Sequence, residues 1–303
     1  MDDTAVSLGA RALASALEPF AGQVYFSAEC HQEYAALGFS PSPAATADGV
    51  QLPDGPAYFT SRGSVMGQVP GELVASAFAV FNPAVVVPAV SYGWSLTDAA
   101  TICAARTRGA TAQLVRILGA EPEGLAGVTG HLLTATAPLR PEGRPLYAGL
   151  LSLGLPGDPM GDAWRLADLL REYRGDAHTA AWTSAGFDAV EIGLLTEAYW
   201  GLPLASYIRT RAWSQEQIDA AKDRLESRGL LEGDTLTEEG RRRREAVETA
   251  TDQQLRPAVA ALGDDLDRLL AVLVPWGAAI RAGAGYLASG PHDLAAARAT
   301  DHA

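Results

Sequence analysis

Apolar residues in this chain recur at three- and four-residue spacing almost from end to end. Stretches with the two-residue alternation of β-branched side chains that a half-buried strand needs are few. A chain patterned in this way buries its apolar stripes by packing helix on helix, so the expected fold class is mainly α. With 303 residues, 48% of them apolar, there is material for one large domain or two ordinary ones.

The periodicity places helices at 8–20, 27–37, 57–66, 71–81 and 83–91, with Ser40 to Pro56 as a Pro-, Ala-, Asp- and Gly-rich loop. Pro83 suits a first helical turn and Asn82 the cap before it. Thr97 is the expected cap of a long helix ending before Gly119, and further helices are expected near 123–137 and 145–153. Asp158-Pro159 starts another, with Met160, Ala163, Trp164, Ala167 and Leu170 on one face. Gly175 is expected to stop it and Asp176 to cap the next. Asp188 and Glu191 form a capping box for a helix to about Tyr199.

A different order begins at Gly201. A short helix is expected over Leu202 to Arg209, then a Ser214/Gln217 capping box opens a helix over 215–228, closed by Gly229. Leu230-Leu231, the turn Glu232-Gly233-Asp234 and Thr235-Leu236-Thr237 form a hairpin before a charged helix from Glu238, and a last helix is expected over 264–282. Helix, turn, helix, small hairpin, helix is the order of a winged helix. The fold expected is thus a helical N-terminal domain, 1–199, then a winged helix with a β-hairpin wing and a closing helix, 200–285. Residues 286–303 are expected to form a disordered tail.

Residues 200–262 resemble the winged-helix unit of MarR-type regulators, through Trp213-Ser214-Gln215-Glu216, Leu225, Arg228-Gly229-Leu230-Leu231 and Leu236-Thr237-Glu238-Glu239-Gly240-Arg241. The whole chain resembles an uncharacterised actinobacterial family in which a helical domain precedes such a winged helix. The matching stretches are Tyr25-Phe26 with Glu29, Tyr58-Phe59 with Arg62, Phe81-Asn82-Pro83, Trp94, and Arg171-Glu172-Tyr173-Arg174-Gly175-Asp176-Ala177-His178. Asn82 stands where that family often has His. The resemblance implies a fold and no particular activity. Usage agrees with a GC-rich genome, since Lys222 is the only Lys and Asn82 the only Asn.

The net charge of −13 opposes attraction to nucleic acid or to an anionic membrane. Cys30 and Cys103 lie far apart, no apolar run has the length of a bilayer span, and Met-Asp-Asp is no secretory leader, so a reducing cytoplasm is the expected setting. The second helix of the helix-turn-helix sets Glu216, Asp219, Asp223 and Glu226 against Lys222, Arg224 and Arg228, and its wing carries Glu232 and Asp234. DNA binding is therefore disfavoured though the fold permits it. Arg241 to Arg244 lie among Glu238, Glu239, Glu245 and Glu248 at helical spacing, which reads as intrahelical ion pairing.

The sequence motifs of metalloproteases, nucleotide-binding loops, thiol oxidoreductases and nucleophile elbows are absent, and no cofactor or metal is expected. His178, among Ala177, Ala180, Ala181 and Trp182, reads either as a satisfied core histidine or as an acid/base or ligand donor in a pocket. Arg62 needs a carboxylate or a ligand anion to offset its desolvation. Glu29 is its possible internal partner. Arg174 and Asp176 suit helix-terminus roles, and Asn82 suits a cap or a polar contact. The candidate ligand residues are Glu29, Arg62, Asn82, Arg174, Asp176 and His178, with His178 the candidate catalytic acid/base. The favoured function is small-molecule binding in the helical domain, the winged helix serving for packing or homodimerisation. The rivals are a ligand-responsive regulator of MarR type and a cofactor-independent enzyme built on His178.

Overall fold

A computed structural model of the chain describes residues 2–288. Eight helices come first: α1 (Asp3–Gly22), α2 (Ala28–Ala36), α3 (Gly55–Gly63), α4 (Gly71–Phe78), α5 (Pro83–Leu96), α6 (Ala99–Leu118), α7 (Leu125–Thr136) and α8 (Pro145–Leu153). The long α9 (Pro159–Ser184) and α10 (Ala189–Trp200) follow. A 3-10 turn (Ile208–Arg211), α11 (Gln215–Ser227), the strands β1 (Leu231–Glu232) and β2 (Thr235–Leu236), and α12 (Glu238–Gln254) complete a winged helix, and α13 (Arg256–Leu262) and α14 (Asp265–Ala282) close the described chain. The fold is mainly α, with one small antiparallel hairpin pairing Leu231 with Leu236 and Glu232 with Thr235.

The caps follow the side-chain chemistry expected of them. Asn82 accepts from the Ala84 amide, and Asp188/Glu191 and Ser214/Gln217 both form reciprocal capping boxes. Gly229 takes φ +67° directly after α11, the left-handed conformation in which glycine carries no Cβ penalty. Asp98, not Thr97, caps α6, because α5 continues through Pro88 to Leu96 and leaves Thr97 as its terminal residue.

Four further expectations are corrected. The break at Gly175 does not occur: α9 is continuous, so Asp176 is not a cap and Arg174 is not at a helix end. One Gly costs a helix only about 1 kcal/mol, and burial of Tyr173, Ala177, Ala181 and Trp182 on either side outweighs it. The segment from Leu202 is turns ending in a single 3-10 turn, held by the buried Glu197 carboxylate, which accepts from the Ala205, Tyr207 and Ile208 amides. Helix α4 ends at Phe78 because Ala79 turns the chain with φ +50°. Tyr286, assigned to the tail, is buried, donates to Glu18 and stacks edge-on with Phe26. The rest of the expected tail, from Ser289, lies outside the described residues.

Two large apolar clusters form, besides a third made of only Tyr199 and Trp200. The larger gathers α1 to α8, α9 as far as Tyr173, α13 and α14. The smaller holds Ala181, Trp182, Ile192, Leu195, Ile208, Ile218, Leu225, Leu231 and Val247, the inside of the winged helix. Residues 256–282, grouped in the sequence with the winged helix, pack instead against α1, α6 and α7. Helix α9 passes from one cluster into the other.

The wing ending Leu236-Thr237-Glu238-Glu239-Gly240 has a steric basis. A Cβ on Gly240 would meet the Leu230 carbonyl oxygen at 2.0 Å. Gly240→Ala is therefore expected to lower stability by about 1–3 kcal/mol through forced backbone displacement. Gly127→Ala, on an exposed face of α7 with nothing near its Cβ position, should be neutral or stabilising by up to about 1 kcal/mol. Urea unfolding of both variants checks the contrast.

Candidate functional site

The middle of α9 carries Arg171, Glu172, Arg174, Asp176 and His178 where the two apolar clusters meet. Glu172 is buried, and Arg62 from α3 clasps it with two hydrogen bonds, 2.9 Å from Nε and 2.7 Å from Nη2. Arg171 adds a third at 3.0 Å and clasps Glu18 of α1 with two more. The Tyr25 hydroxyl donates to Glu172 at 3.1 Å. Burial alone would raise the Glu172 pKa, but Arg62 and Arg171 hold it at about 2. Arg62 also lies over the Phe78 ring at 4.5 Å.

A second ionic group faces α9 from α12 and α1. Arg174 donates to Glu248 and Asp252, Arg11 to Asp252 and Glu245 at 2.7 Å each, and Arg244 to Glu248 at 2.7 Å. Burial works against ionising Glu248, yet Arg244 and Arg174 keep it well below the ordinary carboxylate range. Burial dominates at Asp252, whose pKa rises to about 6. His178 is fixed by Thr251: the Thr251 hydroxyl donates to the Val247 carbonyl, so at 3.1 Å it accepts from His178 Nδ1.

Between these walls lies a cavity of about 210 Å³, adjoining a second of about 200 Å³. Arg62, Val80, Arg174, Gly175, His178 and Arg211 line both. Phe78, Ile192, Trp200 and Ile208 supply apolar wall, so residues from α3, α4, α9, α10, α12 and the 3-10 turn share the site. Arg211 lies between the rings of Phe81 and Tyr207, at 4.6 and 4.3 Å, and donates to the Tyr207 hydroxyl. The Nε groups of Arg174 and Arg211 are both buried without an acceptor.

Of the residues singled out in the sequence, Arg62, Arg174 and His178 converge on this cavity. The other three do not. Glu29 pairs with Arg116 at the α2–α6 contact, so Arg62 has Glu172 rather than Glu29 as its partner. Asn82 caps α5 and also donates to the Ala212 carbonyl at 3.0 Å, while its amide donates to the Arg211 carbonyl. Asp176 is buried on another face of α9, accepting from the Tyr147 amide at 3.0 Å. Sequence reading missed Arg11, Arg211 and Arg244. Arg244 was visible only as one of four consecutive arginines, and nothing local marks the other two. Among the described residues no group of three His, Cys, Asp or Glu side chains is placed to hold a metal ion.

The outer face of the winged helix has a different character. Glu216, Asp219, Asp223 and Glu226 are exposed on α11. Its cations are engaged: Lys222 with Asp234 of the wing, Arg224 with Asp188 and Glu191, and Arg228 with Glu191. Along α12, Arg242 and Arg243 pair with Glu239, and Arg244 with Glu248.

A helix-turn-helix protein is the class that this arrangement of α10, the 3-10 turn, α11 and the hairpin defines. Residues 10–287 match a helix-turn-helix family, so the chain belongs to that family along nearly its whole length. No curated protein and no solved structure matches it. Among the described residues no helix is long and apolar enough to cross a membrane.

The environment of Asp176 has a measurable consequence. Burial raises its pKa from 3.8 to about 7. The folded chain thus binds more protons there than the unfolded chain between about pH 4 and 7, and stability from this group falls as pH rises through that window. Asp176→Asn should remove that slope. Its melting temperature relative to wild type should climb from pH 4 to 7 and level off above, by at most roughly 4 kcal/mol in stability. Thermal unfolding of both chains across this pH range measures it.

Proposed function

We propose that this protein binds a small molecule in the cavity at α9, with Arg62, Arg174 and His178 as ligand-facing side chains. In this reading its MarR-like winged helix is a packing module that completes the cavity wall. The observation that supports it most is the convergence of polar groups from distant parts of the chain on one cavity with apolar walls. Two of these groups are buried guanidinium Nε donors without acceptors. Buried donors of that kind are costly unless something accepts from them, and an apolar cavity with a few convergent polar groups is the usual form of a ligand site.

The recognition face argues against reading DNA as the main role. Its lysine and arginines are bound to carboxylates, and Glu216, Asp219, Asp223 and Glu226 are exposed beside them. Phosphate contacts need cations free to replace counterions. A second reading is favoured by one specific contact. The Nδ1 hydrogen bond with Thr251 fixes the His178 ring at the cavity wall, and a general base has to be held in place in this way. A bound molecule with an acidic proton would then be a substrate rather than an effector.

A thermal-shift screen of metabolites on wild type and His178→Ala tests the main reading. At one hundred times its dissociation constant a ligand adds about 2.7 kcal/mol, so wild type should rise by several degrees and the variant by much less. If no compound discriminates the two chains, and His178→Ala simply melts early, His178 is a core residue and the reading falls. In parallel, duplex DNA of random sequence at about 150 mM salt should not be retarded by the protein. Retardation would restore the regulator reading.

A further inference from the structure

Of the guanidinium groups around the cavity, Arg11, Arg62, Arg171, Arg174 and Arg244 each have a carboxylate partner. Arg211 is the exception among the described residues. Its one side-chain hydrogen bond goes to a phenol, its Nε is buried with no acceptor, and the rings of Phe81 and Tyr207 hold its guanidinium in place. Its backbone is fixed as well. The Arg211 carbonyl accepts from Asn82, Trp213 donates to the Val80 carbonyl at 2.8 Å, and Glu197 holds the 3-10 turn from inside. A preorganised cation that faces a cavity without a counter-ion is the arrangement that recognises an oxyanion, because a guanidinium fork matches a carboxylate and little ordering is left to do on binding.

We propose that the cavity takes a small organic carboxylate. Its oxygens lie against Arg211, with the Nε–H of Arg174 as a further donor, and its body lies on the apolar wall of Phe78, Val80, Ile192 and Ile208. The charge balance fits one anion. The other guanidinium groups already have their carboxylates, so a monoanion neutralises the single remaining cation and a neutral molecule does not. This inference rests on the cavity being a small-molecule site and adds the class of ligand and the residue that selects it.

Matched pairs of rising size test it on the full-length chain: acetate and acetamide, benzoate and benzamide, indole-3-acetate and its amide, each titrated calorimetrically. At least one carboxylate should bind about tenfold or more tightly than its amide, the amide being nearly isosteric but uncharged. Arg211→Gln should abolish that preference, and Arg211→Lys should keep part of it by retaining charge without the fork. The wild-type comparison needs no variant, so it holds even if Arg211→Gln fails to fold. Amides binding as tightly as carboxylates would overturn the carboxylate inference and leave the cavity site standing. A preference that survives in a folded Arg211→Gln would overturn the role of Arg211. If neither set binds, while neutral metabolites in the thermal-shift screen do, the carboxylate class is wrong and the site is right. If nothing binds in either experiment, both readings fall.

Discussion

The continuity of α9 through Gly175 is the constraint on which the rest of the structure depends. The helix starts deep in the larger apolar cluster at Met160 and Trp164 and ends in the smaller one at Ala181 and Trp182. Its middle therefore lies where the two clusters meet, and the charged side chains Arg171, Glu172 and Arg174 there are largely buried and paired. A break at Gly175 would leave the winged helix tied to the α1–α8 body only by contacts such as Arg11 with α12 and the Ala79–Asn82 corner. It would also separate Arg171, Glu172 and Arg174 from His178, which now stand within two helical turns of one another.

That polar row is kept by pairing. Taking Arg62, Glu172, Arg174 and Glu248 out of water is expensive, and mutual attraction with good geometry offsets most of the cost. The geometry here is good: Arg62 and Arg171 both make two-pronged contacts to carboxylates, and Glu248 receives Arg174 and Arg244. Such a group is a weak source of stability, and its value lies in position. Each pair ties α9 to a different neighbour: Arg62 to α3, Arg171 to α1, and Arg174 to α12. The cavity keeps its shape because its walls are pinned by charge as well as by apolar packing.

The winged helix is placed by the same means at smaller scale. The corner from Ala79 to Asn82 reaches over to the turn before α11. It makes three hydrogen bonds there: Trp213 to the Val80 carbonyl, the Asn82 side chain to the Ala212 carbonyl, and the Asn82 backbone amide to the Arg211 carbonyl. Ala79 and Ala212 both hold positive φ at this latch, a cost of about 1–3 kcal/mol each that only surrounding structure can impose. The latch puts Arg211 at the cavity, while on the opposite face Lys222, Arg224 and Arg228 are paired with carboxylates. One fold unit thus has an inner face that completes the cavity wall and an outer face rich in exposed carboxylates.

Local chemistry was enough for much of the fold. The capping residues Asn82, Asp158, Asp188 and Ser214 mark their helices because a cap is satisfied within three residues. Gly229 and Gly240 mark the hairpin because a left-handed φ favours glycine at the first and close approach of the Leu230 carbonyl leaves no room for a Cβ at the second. Arg62, Arg174 and His178 stood out for a similar reason: polar groups among apolar neighbours need partners wherever they end up. The partners themselves were decided by tertiary structure. Glu172 rather than Glu29 meets Arg62 from 110 residues away, Thr251 orients His178 from 73 residues away, and Arg211 becomes a lone cation only once Phe81 and Tyr207 close on it. The break predicted at Gly175 failed for the same reason, since a glycine's local penalty is small beside the burial of both flanking faces. Sequence by itself determined where helices start and which side chains could not be left alone. Folding decided which of them meet, because contacts between residues so far apart in the chain depend on packing, which local spacing does not encode.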